Sequence, residues 1–472
     1  PHAFNYYNGG KITVEKADDG SDYFDPHGMH IAGILAGNDT EKDIKNFNGI
    51  DGIAPNAQIF SYKMYSDAGS GFAGDETMFH AIEDSIKHNV DVVSVSSGFT
   101  GTGLVGEKYW EAIRALRKAG IPMVVATGNY ATSASSSSWD LVANNNLKMT
   151  DTGNVTRTAA HEDAIAVASA KNQTVEFDKV NIGGESFKYR NIGAFFDKNK
   201  IITNEDGSKA PSKLKFVYIG KGQDQDLIGL DLKGKIAVMD RIYTKDLKDA
   251  FKRATDKGAR AIMVVNTVNY YNRDNWTELP AMGYEADEGT TSQVFSISGD
   301  DGVKLWNMIN PDKKTEVKRN SKDDFKDKLE QYYPIDMASY NSNKPNVGDE
   351  KEIDFQFAPD TDKELYKEDI IVPAGSTSWG PRTDLLLKPD VSAPGKNIKS
   401  TLNVINGKST YGYMSGTSMA TPIVAASTVL IRPKLKEMLE KPVLKNLKGD
   451  DKIDLTSLTK IALQNTARPM MD

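Results

Sequence analysis

The sequence predicts an α/β protein built on a doubly wound parallel sheet that a second domain interrupts. Three observations predict it. Short apolar runs alternate with amphipathic runs from residue 1 to about 175. From about 176 to 345 the texture changes to new strand-like runs followed by a stretch rich in Lys, Asp and Glu. Beyond 346, a serine-bearing turn opens a long apolar run with helical character. The expected division is 1–175 for the first part of the core, 176–345 for the insertion with its charged extension, and 346–472 for the second part of the core.

Each element follows from local pattern. Residues 27–37, 77–88 and 107–119 carry apolar positions at helical spacing, and 58–64, 90–95, 121–126 and 164–168 are short, β-branched or apolar strands. Strands and helices in alternation are the signature of parallel crossover units. In the insertion, Asp231-Leu232-Lys233-Gly234-Lys235-Ile236-Ala237-Val238-Met239, the run from Lys257 to Asn266, and Phe295-Ser296-Ile297-Ser298 read as further strands. Residues of about 320–370 are charged and expected to be solvated.

Composition narrows the function. The chain has 472 residues, a formal net charge of −7 and no cysteine. Spread-out basic residues and net negative charge give no support to a nucleic-acid partner. Without cysteine there is no disulfide framework and no cysteine metal site. No apolar run approaches the ~18 residues of a membrane span.

Three motifs carry chemistry. Ser415-Gly416-Thr417-Ser418-Met419-Ala420-Thr421-Pro422 places Ser418 between a tight small-residue turn and a helix start. Backbone N–H groups at a helix start lack intrahelical partners, which suits a nucleophile facing an oxyanion. The plain alternative is an ordinary Ser/Thr helix cap. His27-Gly28-Met29-His30-Ile31-Ala32-Gly33 puts His27 at a helix start, positioned as a general base. His27 and His30 have the spacing of a helical metal pair, but no third His and no Cys stands at a ligand spacing, so no metal site is assigned. The run 120–127 ends in Gly128-Asn129, where an amide N–H can reach an oxyanion.

Together and in this order, the His, Asn and Ser motifs resemble the subtilisin-like serine peptidases. Gly52-Ile53-Ala54-Pro55-Asn56-Ala57, Ser378-Trp379-Gly380-Pro381, the segment Lys388 to Gly395 and Asn465-Thr466-Ala467 fit the same pattern. The resemblance implies acyl transfer by Ser418, with His27 as base and Asn129 as oxyanion donor. It implies that Ser96, Ser97 and Gly98, at the end of the 90–95 strand, pair with substrate backbone. It requires no cofactor; calcium is common in relatives, but no ligand loop here is specific enough to name. The insertion is similar to a protease-associated (PA) domain. That arrangement resembles the cell-envelope subtilases of streptococci and lactic-acid bacteria, most of all the chemokine-cleaving streptococcal type. A protein substrate, with a chemokine as one candidate, and a secreted or cell-wall-anchored location in a Gram-positive bacterium are what this resemblance implies.

One feature departs from the family pattern. Subtilases carry an aspartate on a first strand ahead of the histidine, and no such apolar run precedes His27. Asp22 and Asp25 stand too near His27, and Asp151-Thr152-Gly153 comes after both His27 and Asn129. The expectation is therefore that the first core strand is missing, and that an upstream fragment of the same precursor supplies the triad aspartate. Two alternatives remain: an inactive binding module or adhesin on the same scaffold, and a sugar-cleaving enzyme with acidic pairs. The three motifs weigh against the second.

Overall fold

The computed structural model describes residues 2–16, 25–40, 49–67, 74–98, 107–131, 153–192, 196–204, 206–242, 244–267, 279, 292–313, 316–320, 335–359, 364–367, 371–382, 384–402, 410–447 and 452–470. In chain order the elements are β1 (His2–Asn5), α1 (His27–Ala36), β2 (Phe60–Lys63), α2 (Asp75–Lys87), β3 (Val93–Val95), α3 (Glu107–Lys118), β4 (Met123–Ala126) and β5 (Ala164–Ala170). There follow β6 (Thr174–Ile182), β7 (Glu185–Ile192), α4 (Lys198–Ile202), β8 (Lys213–Tyr218), β9 (Ile236–Asp240), α5 (Thr244–Asp256), β10 (Ala261–Val265), β11 (Gln293–Ile297), α6 (Gly299–Ile309), α7 (Met337–Ser342), β12 (Glu350–Phe357) and β13 (Glu364–Lys367). The chain closes with β14 (Val391–Pro394), β15 (Ile398–Thr401), β16 (Tyr411–Met414), α8 (Thr417–Leu439), α9 (Pro442–Lys445) and α10 (Leu455–Thr466). Two compact units result: residues 1–173 with 368–472, and residues 174–367.

In the first unit a four-stranded parallel sheet runs in the order β14-β5-β4-β3. Its strands read as continuous apolar runs because both faces are covered. Every residue of β4 and β5 is buried. Alternation sorts them by face. Met123, Val125, Ala164 and Ala166 share a core with Met78 and Ile82 of α2 and Ile113 and Leu116 of α3. Val124, Ile165 and Val167 share one with Ala420, Val424 and Ala425 of α8. Each large side chain buried this way contributes about 1.5–3 kcal/mol.

β1 and β2 pair in parallel as a separate two-stranded ribbon. β2, α2 and β3 form a crossover unit, whose strands ordinarily lie in one sheet. The ends of β2 and β3 are joined by packing, since Met64 and Val95 lie in one core cluster. Yet among the described residues no hydrogen-bonded strand links β2 to β3.

The second unit is ordered β12-β8-β9-β10-β11-β7-β6-β13, and β12 also pairs with β6, so seven strands close on themselves. β8 to β11 are parallel, and the remaining pairings are antiparallel. Phe216, Phe295, Trp306 and Tyr340 fill one apolar cluster, and Leu247, Ala250, Phe251 and Ala254 of α5 cover the other. This unit runs to Lys367, past the expected boundary at 345. The reason is β12. The sequence around it suggests solvated charge, but Ile353, Phe355 and Phe357 alternate with Glu352, Asp354 and Gln356, and those three apolar side chains are buried.

Candidate active site

Ser418 is the second residue of α8 and is half-buried. Small residues let the chain turn into this helix. Gly416 has φ 156°, and a Cβ there would lie 3.1 Å from Asn129 Nδ2. Its N–H donates to the Gly395 carbonyl at 2.7 Å. Gly395 is itself confined: a Cβ would meet the Gly416 oxygen at 2.6 Å and Ser169 Oγ at 2.3 Å. The Lys388–Gly395 segment thus forms the wall against which the serine turn rests.

Pro422 lies inside α8 and has no N–H to give to the Ser418 carbonyl four residues back. Ser96 fills that vacancy. Its Oγ donates to the Ser418 carbonyl at 2.8 Å, and Ser418 Oγ donates to the Ser96 carbonyl at 3.2 Å. Sequence reading assigned Ser96 to substrate pairing and missed this second bond; Pro422 four residues after Ser418 was the available signal.

Asn129 follows β4 through Gly128, which has φ 107° and leaves no room for a Cβ beside Ser378 Oγ at 2.9 Å. Asn129 Oδ1 accepts from the Thr417 N–H at 2.9 Å and from Thr417 Oγ1 at 3.2 Å. Those two bonds fix which way the amide faces. Its Nδ2 has no partner among the described residues and is free to donate beside Gly416. Ser378 braces the same turn from the other side, donating its N–H to the Gly128 carbonyl at 2.8 Å and accepting the Tyr130 N–H at 3.1 Å. The Ser378–Pro381 motif therefore serves the asparagine loop.

His27 opens α1, and its N–H is capped by Asp25 Oδ1 at 3.0 Å. α1 packs against α8 and β15. Gly33 permits that approach, since a Cβ there would fall 2.3 Å from both Ser400 Oγ and Thr401 Oγ1. Ser400 and Thr401 donate to the carbonyls of His30 and Met29. His30 is fully buried with Nε2 facing the Ile398 and Gly412 carbonyls at 3.1 and 3.2 Å, so it anchors the helix. At the other end, the N–H groups of Ile53 and Ala54 cap the Ile34 and Leu35 carbonyls, which gives the Gly52–Ala57 motif its local job. Burial pushes the His27 pKa down, with Asp25 opposing, which favours the neutral ring. Among the described residues no hydrogen bond joins the His27 ring to Ser418 or to a carboxylate. Asp22 and Asp151 lie outside the described residues.

Ser96, Ser97 and Gly98 continue from β3 beside this cluster. A Cβ on Gly98 would strike Thr156 at 2.7 Å, and Thr156 Oγ1 donates to the Ala126 carbonyl at 2.8 Å. The strand end is thus fixed to the asparagine strand.

Four distant segments converge on the turn into α8, and the family model described as the subtilase family matches residues 2–467. The chain belongs to the subtilase family. Among curated subtilases it is 30% identical over 490 aligned positions to the PIII-type proteinase of Lactococcus lactis subsp. cremoris (strain SK11), covering 100% of this chain and 21% of that protein. It is 24% identical to the minor extracellular protease Vpr of Bacillus subtilis (strain 168), covering 86% and 39% of the two chains. To the C5a peptidase of Streptococcus pyogenes serotype M3 it is also 24% identical, covering 91% and 30%. This subtilase chain spans about a fifth of the length of the lactococcal relatives it matches.

Proposed function

We propose that this chain carries the peptide-cleaving centre of a serine endopeptidase acting on proteins outside the cell. The observation that supports this most directly is the convergence of Asn129, Thr417 and Ser418: a free amide N–H stands beside the start of a helix whose second residue is a serine. Ser418 Oγ would attack the scissile carbonyl. His27 would take the proton and return it to the leaving amine, while Asn129 Nδ2 and the Ser418 N–H hold the oxyanion. Substrate backbone would pair along Ser96, Ser97 and Gly98. A chemokine is one candidate substrate on the sequence resemblance, and the name of the Bacillus subtilis relative, an extracellular protease, supports an extracellular location.

The break between β2 and β3 bears on how the centre is completed. We propose that a further parallel strand enters there, bringing the carboxylate that orients His27, as an upstream fragment of the same precursor. That no carboxylate bonds the His27 ring among the described residues also supports a second reading, an inactive binding module or adhesin. Labelling with an active-serine phosphonate separates the two. Adding a fragment that bears the strand should raise labelling at Ser418 and peptide hydrolysis together. A bound fragment that leaves Ser418 unlabelled would establish the binding-module reading. We further propose that the second unit is a PA domain governing which proteins reach the site; its closed mixed sheet with α5 against one face supports that assignment.

A further inference from the structure

The β1–β2 ribbon meets the C-terminal end of α2 through a cluster that the proteolytic chemistry does not use. His2 Nε2 lies 2.8 Å from Asp84 Oδ2. His88 Nδ1 lies 3.3 Å from Asp84 Oδ1 and 2.9 Å from the Asp84 carbonyl. One ligand atom from each of the three residues falls within 4.8 Å of the others. Asp84 and His88 are four apart and so share a helix face, a spacing that lets two side chains reach one ion. His2 comes from the strand opposite, with its ring 4.6 Å from that of His88. Phe60 packs on both rings, at 5.6 and 5.4 Å, and provides an apolar wall.

The surroundings have the features of a metal's supporting shell. The Tyr62 hydroxyl donates to Asp84 Oδ2 at 2.9 Å and fixes the carboxylate's orientation. Tetrahedral coordination at 2.0–2.1 Å would place ligand atoms about 3.4 Å apart. The three side chains are 37%, 18% and 32% exposed, so His2 and His88 can rotate to close that gap. Two imidazoles and one carboxylate, with a water as fourth ligand, suit zinc. Calcium would require six to eight oxygens.

We propose that His2, Asp84 and His88 form a zinc-class divalent-metal site that pins the β1–β2 ribbon to the end of α2. The ion would bind where three hydrogen-bonded groups now meet, displacing the protons between them. None of the bonds of these three residues reaches His27, Asn129 or Ser418, so the ion would serve structure and not the hydrolytic step.

The test is to strip the full chain with a chelator and titrate it with zinc chloride against a chromophoric competitor, following thermal unfolding in parallel. One equivalent should bind with Kd at or below about 10 µM, and the melting temperature should rise. His2→Ala and His88→Ala should each weaken binding at least about tenfold, while His80→Ala on the same helix should leave it unchanged. Millimolar calcium should not compete. Absence of stoichiometric binding by the folded wild-type chain would overturn the site. Binding that survives both His2→Ala and His88→Ala would overturn it equally. Because the readout is metal binding, it stands or falls apart from the proteolytic assignment.

Discussion

Ser96 and Ser418 exchange hydrogen bonds, each hydroxyl donating to the other's carbonyl. The exchange follows from Pro422, which leaves the Ser418 carbonyl without its helical donor. A buried acceptor stripped of its partner costs about 1–3 kcal/mol. Ser96→Ala should therefore lower unfolding stability by about that amount. In a Pro422→Ala background the helix regains its own N–H donor, so Ser96→Ala should cost less than about 0.5 kcal/mol. A double-mutant cycle by denaturant unfolding measures the coupling, and an equal cost in both backgrounds would refute the relationship.

Asn129→Ala removes the free amide donor and leaves the Thr417 N–H without its acceptor. In subtilisin itself, loss of the corresponding kind of donor costs about 10²–10³ in turnover, and we carry that figure over from the relative. The same loss is expected here in fragment-completed enzyme, with phosphonate labelling of Ser418 retained at a reduced rate. Unchanged turnover would remove Asn129 from the oxyanion role.

Gly33→Ala introduces a methyl group where Ser400 Oγ and Thr401 Oγ1 stand 2.3 Å away. Overpacking of this kind costs about 1–3 kcal/mol. Because α1 carries His27, hydrolysis should fall along with the melting temperature. Ser400→Ala combined with Gly33→Ala should recover part of both. A variant with normal stability and activity would show that the α1–β15 approach is looser than described.

Acid should destabilise the chain through two buried histidines. Burial pushes the pKa of His30 and of His161 down to about 4. His30 faces two carbonyls with Nε2, and its Nδ1 has no partner; His161 Nδ1 accepts the Asp163 N–H, so both rings are held neutral. A pKa depressed in the folded state means that the unfolded chain binds the proton more readily. The stability from each is present above about pH 6.5 and is lost as pH falls toward about 4, at up to about 1.4 kcal/mol per unit per histidine. Unfolding at pH 7 and pH 5 should show the loss, and His161→Gln should flatten part of it. An unchanged pH dependence in that variant would contradict the assignment for His161.

Excision of the second unit is expected to leave the first able to fold. Lys171 N–H donates to the Val372 carbonyl at 2.9 Å, and Ala170 bridges Pro373. The chain thus leaves and re-enters the first unit at adjacent points. Replacing residues 174–367 with a short linker should spare small-peptide turnover in the completed enzyme while changing cleavage of protein substrates. Equal loss on both substrates by a folded deletion would count against a substrate-selecting role.

Much of this was legible in the sequence. The fully buried β4 and β5 show as apolar runs, and Ser418, His27 and Asn129 sit in local motifs whose small residues have no other evident use. Gly395 and Gly33 prove to be places where a Cβ would collide with a neighbour, and Gly416 one where it would crowd Asn129. What stayed hidden depends on residues far apart in sequence. The second bond of Ser96 requires knowing that it meets a carbonyl 322 residues away. β12 is hidden because its outward face carries Glu, Asp and Gln, and only the alternating Ile353, Phe355 and Phe357 mark its inner face. The His2–Asp84–His88 cluster combines a strand and a helix that no spacing rule connects.

The adjacency of Lys171 and Val372 has a further consequence, for the order of folding. β5 must pair with β14, Ser169 against Ala393, across the whole intervening insertion. Closing so long a loop from a disordered chain carries an entropic penalty that grows with the logarithm of its length. If residues 174–367 fold first, the two strands become joined by an effectively short tether, which lowers that penalty by roughly 2 kcal/mol. The insertion would then hasten assembly of the core around it. Its destabilisation should slow the appearance of the four-stranded sheet even where that sheet's own residues are untouched.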